Sequence, residues 1–261
     1  MERKRGVIVK NSLFGLCLSL QFLTRIPVPV ECPWNKETSR WALRCYPLTG
    51  MLLGGILVLT VSLLHGILPT WMLALLILTI WIWITGGLHL DGWMDVADAI
   101  GSNATLEKKW EIMKDPMVGS FGILSLLFLI VWKAVFIYLL LNESFQYIIC
   151  FLVILACSRG IAVCLMYLLP TAQQQGLAFE WKKNLTRGDV VVAFLPIAAL
   201  FLLLPEYLVL LLGYFFFTWL YGHWMMKHFK GSNGDLLGTA IEGGELCGLI
   251  VMWIYISFVI G

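Results

Sequence analysis

Long apolar runs constrain this chain more than any other feature. Residues 71–84, 123–141 and 207–221 carry few or no charges and show no strict alternation of apolar with polar side chains. Crossing a hydrocarbon core of about 30 Å takes roughly 20 such residues as a helix. Inside a bilayer only helices and closed barrels satisfy their own backbone groups, and a barrel would need period-two alternation. The runs predict an all-α, polytopic membrane protein embedded in a lipid bilayer. Composition agrees: 60% of the 261 residues are hydrophobic and 13% charged, with a mean hydropathy of +0.86, far from the balance of a soluble domain. A net charge of +2, scattered through loops, argues against a nucleic-acid partner.

Seven crossings are predicted, at 41–65, 69–88, 119–141, 146–168, 189–204, 206–227 and 245–261. Lysine and arginine outside them cluster at 3–10, 25–44, 108–114, 182–187 and 227–230, while the linkers at 66–68, 142–145 and 205 carry none. The positive-inside rule then places the basic loops in the cytoplasm, at the cell membrane, with an up-and-down path. Asp91, Asp95, Asp98, Asp115, Asp189 and Asp235 all fall on that side. The stretch 11–30 is apolar but flanked by positive charge and broken by Pro27 and Pro29, so it predicts a re-entrant or interfacial helix. It has no small-residue cleavage site and is expected to be retained. With no repeat or interdomain linker, residues 1–261 read as a single domain.

The longest polar interruption, 86–119, holds Asp91, Asp95 and Asp98 at i, i+4 and i+7, one face of a helix. Carboxylates stacked near a bilayer repel one another and call for an organising cation. Oxygen ligands alone suit Mg2+ or Mn2+, and Mg2+ binds through one or two carboxylates plus substrate phosphates. A helix cap beside two solvated aspartates is the plainer account of the same pattern. A second acidic group, Asp235, Glu242 and Glu245, lies in a glycine-rich segment before the last predicted span, on the same membrane side. Asp91 and Asp95 are the first metal-ligand candidates, with Glu242 and Glu245 next; Asp98 or Asp235 would serve as the base.

Arg25, Lys114 and Arg159 are the cationic candidates for phosphate oxygens, although topology alone would account for Arg25 and Lys114. Arg159, inside the fourth predicted span, calls for a partner. His89 could act on a phosphate or orient a carboxylate, or be structural. Gly92 and Asn233 flank the acidic residues and complete the substrate-binding set, glycine allowing close approach. The seven cysteines include no CxxC pair; Cys150, Cys157 and Cys164 recur every seven residues and read as packing.

Four segments resemble the cobalamin synthase family, the adenosylcobinamide-GDP ribazoletransferases. They are Phe22-Leu23-Thr24-Arg25-Ile26-Pro27-Val28-Pro29, Gly86-Gly87-Leu88-His89-Leu90-Asp91-Gly92 through Asp98, Glu111-Ile112-Met113-Lys114-Asp115 with Gly119, and Gly234-Asp235 through Glu245. Ser158-Arg159-Gly160 also matches, so the resemblance runs nearly end to end. This chain departs from it at Pro116-Met117, where the family usually has Ser-Arg, and at Ala99, where it usually has Gly; the missing arginine weakens any phosphate role for that loop. The resemblance implies a Mg2+-dependent transfer. In it the ribose 3′-hydroxyl of α-ribazole, or of its 5′-phosphate, attacks the cobinamide-linked phosphorus of adenosylcobinamide-GDP and GMP leaves, a late step of cobalamin biosynthesis. It leaves a homo-oligomer open.

Two other functions fit a membrane protein with clustered charge. A CDP-alcohol phosphotransferase making phospholipid also uses acidic helices, but its DxxDGxxAR and GxxxDxxxD motif is absent. A transporter would also carry intramembrane charge, but near the midplane, whereas these carboxylates are predicted at helix ends on one side.

Overall fold

The computed structural model describes residues 2–143 and 145–260, with side chains from residue 9 onward except at 146 and 260. Its regular structure is helical, apart from two isolated β-bridges. In chain order the helices are α1 (Glu2–Leu23), α2 (Lys36–Leu64), α3 (Thr70–Thr85), α4 (Leu88–Gly101), α5 (Leu106–Ile112), α6 (Ser120–Glu143), α7 (Cys150–Leu168), α8 (Leu177–Lys182), α9 (Arg187–Leu203), α10 (Val209–Phe229) and α11 (Gly234–Tyr255).

Five segments are long and apolar enough to cross a membrane: Lys36–Leu64, Ser120–Glu143, Tyr147–Leu168, Pro205–Phe229 and Gly234–Val259. The pair α3 and α4 adds a sixth if counted as one span, but it bends by 90°. The expected count of seven is therefore five or six by length. The expected span at 189–204 is helical but α9 has only 17 residues, and the span at 69–88 is a 16-residue helix that breaks. The break follows from two successive left-handed glycines, Gly86 (φ 71°) and Gly87 (φ 74°), a conformation that side-chain-bearing residues adopt at a cost. In α1 the apolar part, Val9–Leu23, is shorter than a crossing and packs along α2; an extended stretch through Pro27 and Pro29 follows it.

Side-chain caps fix where several helices start. Asn35 accepts from the backbone N–H groups of Glu37 and Thr38, both at 3.0 Å, to begin α2, and Thr186 and Asp189 form a capping box at α9. The acidic segment expected ahead of the last span belongs to that span: Asn233 caps α11, which runs unbroken from Gly234. Gly238, Gly243, Gly244 and Gly248 sit in it with His89, Phe217, Ile161 and Tyr214 of neighbouring helices against them.

The centre of the bundle is α7. In Tyr147–Leu168, 83% of the most apolar stretch is buried, against 22% in Pro205–Phe229 on the periphery. Cys150 and Cys157 are buried there, all seven cysteines are free thiols, and packing is the role the structure gives these two. The closest neighbour of α7 is α2, whose Gly50 would carry a Cβ only 2.2 Å from the Leu155 carbonyl oxygen. Replacing Gly50 by leucine is expected to force the two helices apart, lowering stability by about 1–3 kcal/mol or more, read as the midpoint of thermal unfolding in detergent.

The helix ends sort into two groups. Arg40 and Arg44, near the start of α2, hold Asp189 at the start of α9, and Phe229 at the end of α10 meets Trp110 of α5 at 5.4 Å between ring centroids. At the other end, His65 meets Phe145 with ring centroids 4.7 Å apart. The basic loops from Arg25 to Lys230 gather at the first end, with the carboxylates.

Candidate functional site

The two acidic segments meet where α4 crosses α11. A Cβ on Gly92 would lie 2.8 Å from Asp235 Cα, so only glycine permits this approach. The Thr239 hydroxyl sits between the helices, 3.1 Å from the Gly92 carbonyl oxygen and 2.8 Å from that of Asp235. Asp95 consequently has Asp91, Asp98 and Asp235 as its charged neighbours. Asp91 is exposed, and Asp95, Asp98 and Asp235 are partly buried. Among the described residues none of the four pairs with a lysine or arginine. Their repulsion is left for something outside the chain to neutralise.

Asp98 and Asp235 differ in how they are held. Asp98 turns toward α6, where Oδ2 accepts from the Gly119 N–H at 2.7 Å and Oδ1 from the Gly122 N–H at 2.8 Å. It satisfies two of the orphan donors at that helix start, and a Cβ at either glycine would come within 2.4 Å of its oxygens. Asp235 accepts one hydrogen bond, from Asn233 Nδ2 at 2.8 Å, and reaches a cavity.

Glu242 and Glu245 do not join the aspartates. Along α11 from Asp235, Glu242 lies about two turns on, roughly 10 Å, and Glu245 nearly three turns, roughly 15 Å, at 1.5 Å per residue, and both are buried. Lys133 of α6 binds both, at 2.5 Å to Glu245, and Arg159 of α7 binds Glu245. The expected cation partners of these two carboxylates are thus replaced by side chains of the protein. Arg159, expected at phosphate, is fully buried; its Nη1 also reaches the Ser158 hydroxyl at 2.9 Å, while its Nε and Nη2 have no acceptor among the described residues. His89 is buried beside this group, its Nδ1 without a partner among the described residues. Lys133 was absent from the sequence-derived candidates because it lies within an apolar run; a lysine in the middle of a span is itself the signal.

Arg25 and Lys114 lie outside this buried group. Arg25 is exposed and lies across the α3–α4 bend, so close that a Cβ on Gly86 would be 2.7 Å from its Nε. Its backbone N–H donates to the Ile84 carbonyl at 2.6 Å, tying the extended stretch after α1 to the bend. Lys114, exposed at the end of α5, lines the cavity with Asp235, Asn233 and His89. That cavity has a volume of about 490 Å3, with Phe22, Tyr46, Trp110 and Trp181 among its walls. An unpaired polar atom buried in such a wall costs about 1–3 kcal/mol, and the Trp181 indole N–H is one.

The donor set fits a hard cation held with substrate. Asp91, Asp95 and Asp235 offer only oxygen, and among the described residues no three His, Cys, Asp or Glu side chains close into a ready-made metal cage.

Comparison with known proteins gives a consistent result. The family model for cobalamin-5-phosphate synthase matches residues 15–253. An adenosylcobinamide-GDP ribazoletransferase from Halalkalibacterium halodurans is 36% identical over 95% of this chain and 98% of its own. Proteins of the same name from Geobacillus sp. (strain WCH70), at 33% over 96% and 99%, and from Acinetobacter baumannii, at 34% over 87% and 92%, are also similar. No solved structure matches.

Proposed function

Because the chain belongs to the cobalamin-5-phosphate synthase family, we propose that it joins adenosylcobinamide-GDP to α-ribazole, or to its 5′-phosphate, with release of GMP. The observation that carries this reading is the meeting of Asp91, Asp95 and Asp235 beside a nucleoside-sized cavity. The acceptor's 3′-hydroxyl oxygen bonds to the cobinamide-linked phosphorus, the bond to GMP breaks, and the hydroxyl proton passes to a carboxylate. When bound, Mg2+ supplies charge neutralisation for the diphosphate and the departing GMP.

Asp91 and Asp95 would hold that ion, and Arg25 and Lys114 would supply positive charge to phosphate oxygens. Asp235 is the base: it keeps an oxygen free at the cavity, whereas both oxygens of Asp98 are occupied by backbone donors. His89 and Asn233 shape the cavity wall, and Asn233 orients Asp235. The clustering of basic loops at this end of the bundle supports a cytoplasmic site.

Purified protein given adenosylcobinamide-GDP, α-ribazole and Mg2+ is expected to release GMP, and to release no CMP from CDP-diacylglycerol and an alcohol. The reverse pattern would refute the assignment. Asp235→Asn is expected to lower kcat about 10²–10⁴-fold, the usual contribution of a general base. Asp98→Asn, which disturbs only a helix cap, should keep at least about a tenth of the wild-type rate. Equal losses in the two variants would remove the distinction between them.

A further inference from the structure

A second cavity, of about 780 Å3, opens on the flank of the bundle away from the carboxylates. Its floor is α7, through Cys157, Ile161 and Leu165, and its walls are α9 and α10. These two helices are joined by the short turn Pro205–Tyr207, and each packs on α7 but scarcely on the other, which leaves a wedge between them. Gly222 of α10 faces the wedge without a side chain; a Cβ there would already meet Leu165 Cδ2 at 3.3 Å. Phe215 and Trp219 on the rim are 65% and 53% exposed, as side chains turned toward hydrocarbon would be. Positive charge collects at one mouth, the end of the bundle that carries the basic loops. Lys182 of α8 donates from Nζ to the carbonyl of Leu169, itself a lining residue. Arg187 begins α9 two turns before the lining residue Phe194 and so shares its face. Along α10 the exposed row Phe215, Trp219 and His223 ends, one turn further on, at Lys227. Among the described residues none of Lys182, Arg187 and Lys227 pairs with a carboxylate.

We infer that this groove binds an anionic phospholipid of the surrounding bilayer, with an acyl chain between α9 and α10 and the phosphate at Lys182, Arg187 and Lys227. Close packing is the rule inside proteins, so a wedge of this size in a bilayer is filled by what surrounds it. The walls are almost wholly apolar and the cations stand at one end, which matches an amphiphile with a negative head. Basic pockets between membrane helices suit anionic headgroups for the same reason. A soluble phosphate would leave the apolar walls uncovered, and a zwitterionic lipid brings its own cation to compete with the three side chains. A helix of a second copy is too thick: spread over the roughly 22 Å from Leu211 to Met226, the volume leaves a cross-section of about 35 Å2, whereas a helix is about 10–12 Å across. Leu169 leads into Pro170, whose carbonyl accepts from the Ser232 N–H at 2.8 Å. The headgroup therefore sits behind the paired loops that carry Asn233 and Asp235.

The test gives the full chain, purified in a neutral detergent, an equimolar mixture of phosphatidylglycerol and phosphatidylcholine with the same acyl chains, and counts retained lipid by native mass spectrometry. The wild type is expected to keep one phosphatidylglycerol, with a preference of about tenfold or more, the scale of a few cations near a lipid phosphate. In the double variant Arg187→Gln with Lys227→Gln that preference should fall to within about twofold. The charge-matched control Lys36→Gln with Lys108→Gln, exposed residues of α2 and α5, should keep it. Gly222→Leu, which puts a side chain into the wedge, should retain neither lipid, and excess inorganic phosphate should displace none from the wild type. Equal retention of the two lipids by the wild type overturns the inference without recourse to any variant, so poor folding of Gly222→Leu would not protect it. A preference that survives in Arg187→Gln with Lys227→Gln, or is lost equally in the control, overturns it too. Displacement by inorganic phosphate would leave a headgroup site without a chain in the groove, and a lipid-free dimer would give the groove to a second copy; either result refutes the assignment.

Discussion

Asp91→Asn is expected to lower GMP release by at least about a hundredfold while leaving the bundle folded. Asp91 is exposed on the first turn of α4 and makes no side-chain hydrogen bond or ion pair among the described residues, so its loss removes no packing. The variant relieves repulsion toward Asp95 and Asp235, so in EDTA its unfolding midpoint should equal or exceed that of the wild type. Mg2+ should separate the two proteins in the opposite sense. An ion that binds only the folded state stabilises it by about 2.7 kcal/mol at a hundred times its Kd, and that gain should shrink in Asp91→Asn. Full activity in the variant, or an undiminished Mg2+-dependent shift, would take Asp91 out of the metal site.

Glu245→Leu is expected to destabilise the protein by about 3–5 kcal/mol, the range for breaking a buried ion pair. Glu245 is the carboxylate that Arg159 holds, and Lys133 has Glu242 besides. Removing Glu245 therefore leaves a guanidinium uncompensated inside the bundle, where α6, α7 and α11 pack together. The double variant Glu245→Leu with Arg159→Leu restores the charge balance and should recover most of the loss, because apolar replacement of a whole buried pair is often neutral or better. Thermal unfolding of the three proteins in one detergent checks this. A single variant that melts with the wild type, or a double variant worse than the single, would show that the pair does not hold these helices.

Local pattern made part of the site readable. The spacing of Asp91, Asp95 and Asp98 places them on one helix face whatever the helix packs against, because 3.6 residues per turn leaves no alternative. The presence of Asp235 on the same side followed from counting crossings and basic loops. Three features were not readable. Asp98 looks equivalent to its neighbours until α6 presents two backbone donors to it. Glu242 and Glu245 looked available for metal, and Lys133 looked like part of an apolar run, until three helices brought opposite charges together. Five or six segments are long enough to cross where seven crossings were expected, because α9 is short and α3 ends at two left-handed glycines, while hydropathy reports neither length in space nor direction.

The sequence by itself determined that the chain is a helical membrane protein with its basic loops on one side and an acidic helix face among them. Those properties follow from solvent transfer and helical period, both local. Only the tertiary structure decided which carboxylates remain without a protein cation and which are neutralised, because a charge buried in the bundle takes the nearest opposite charge that packing offers. That choice depends on which helices touch.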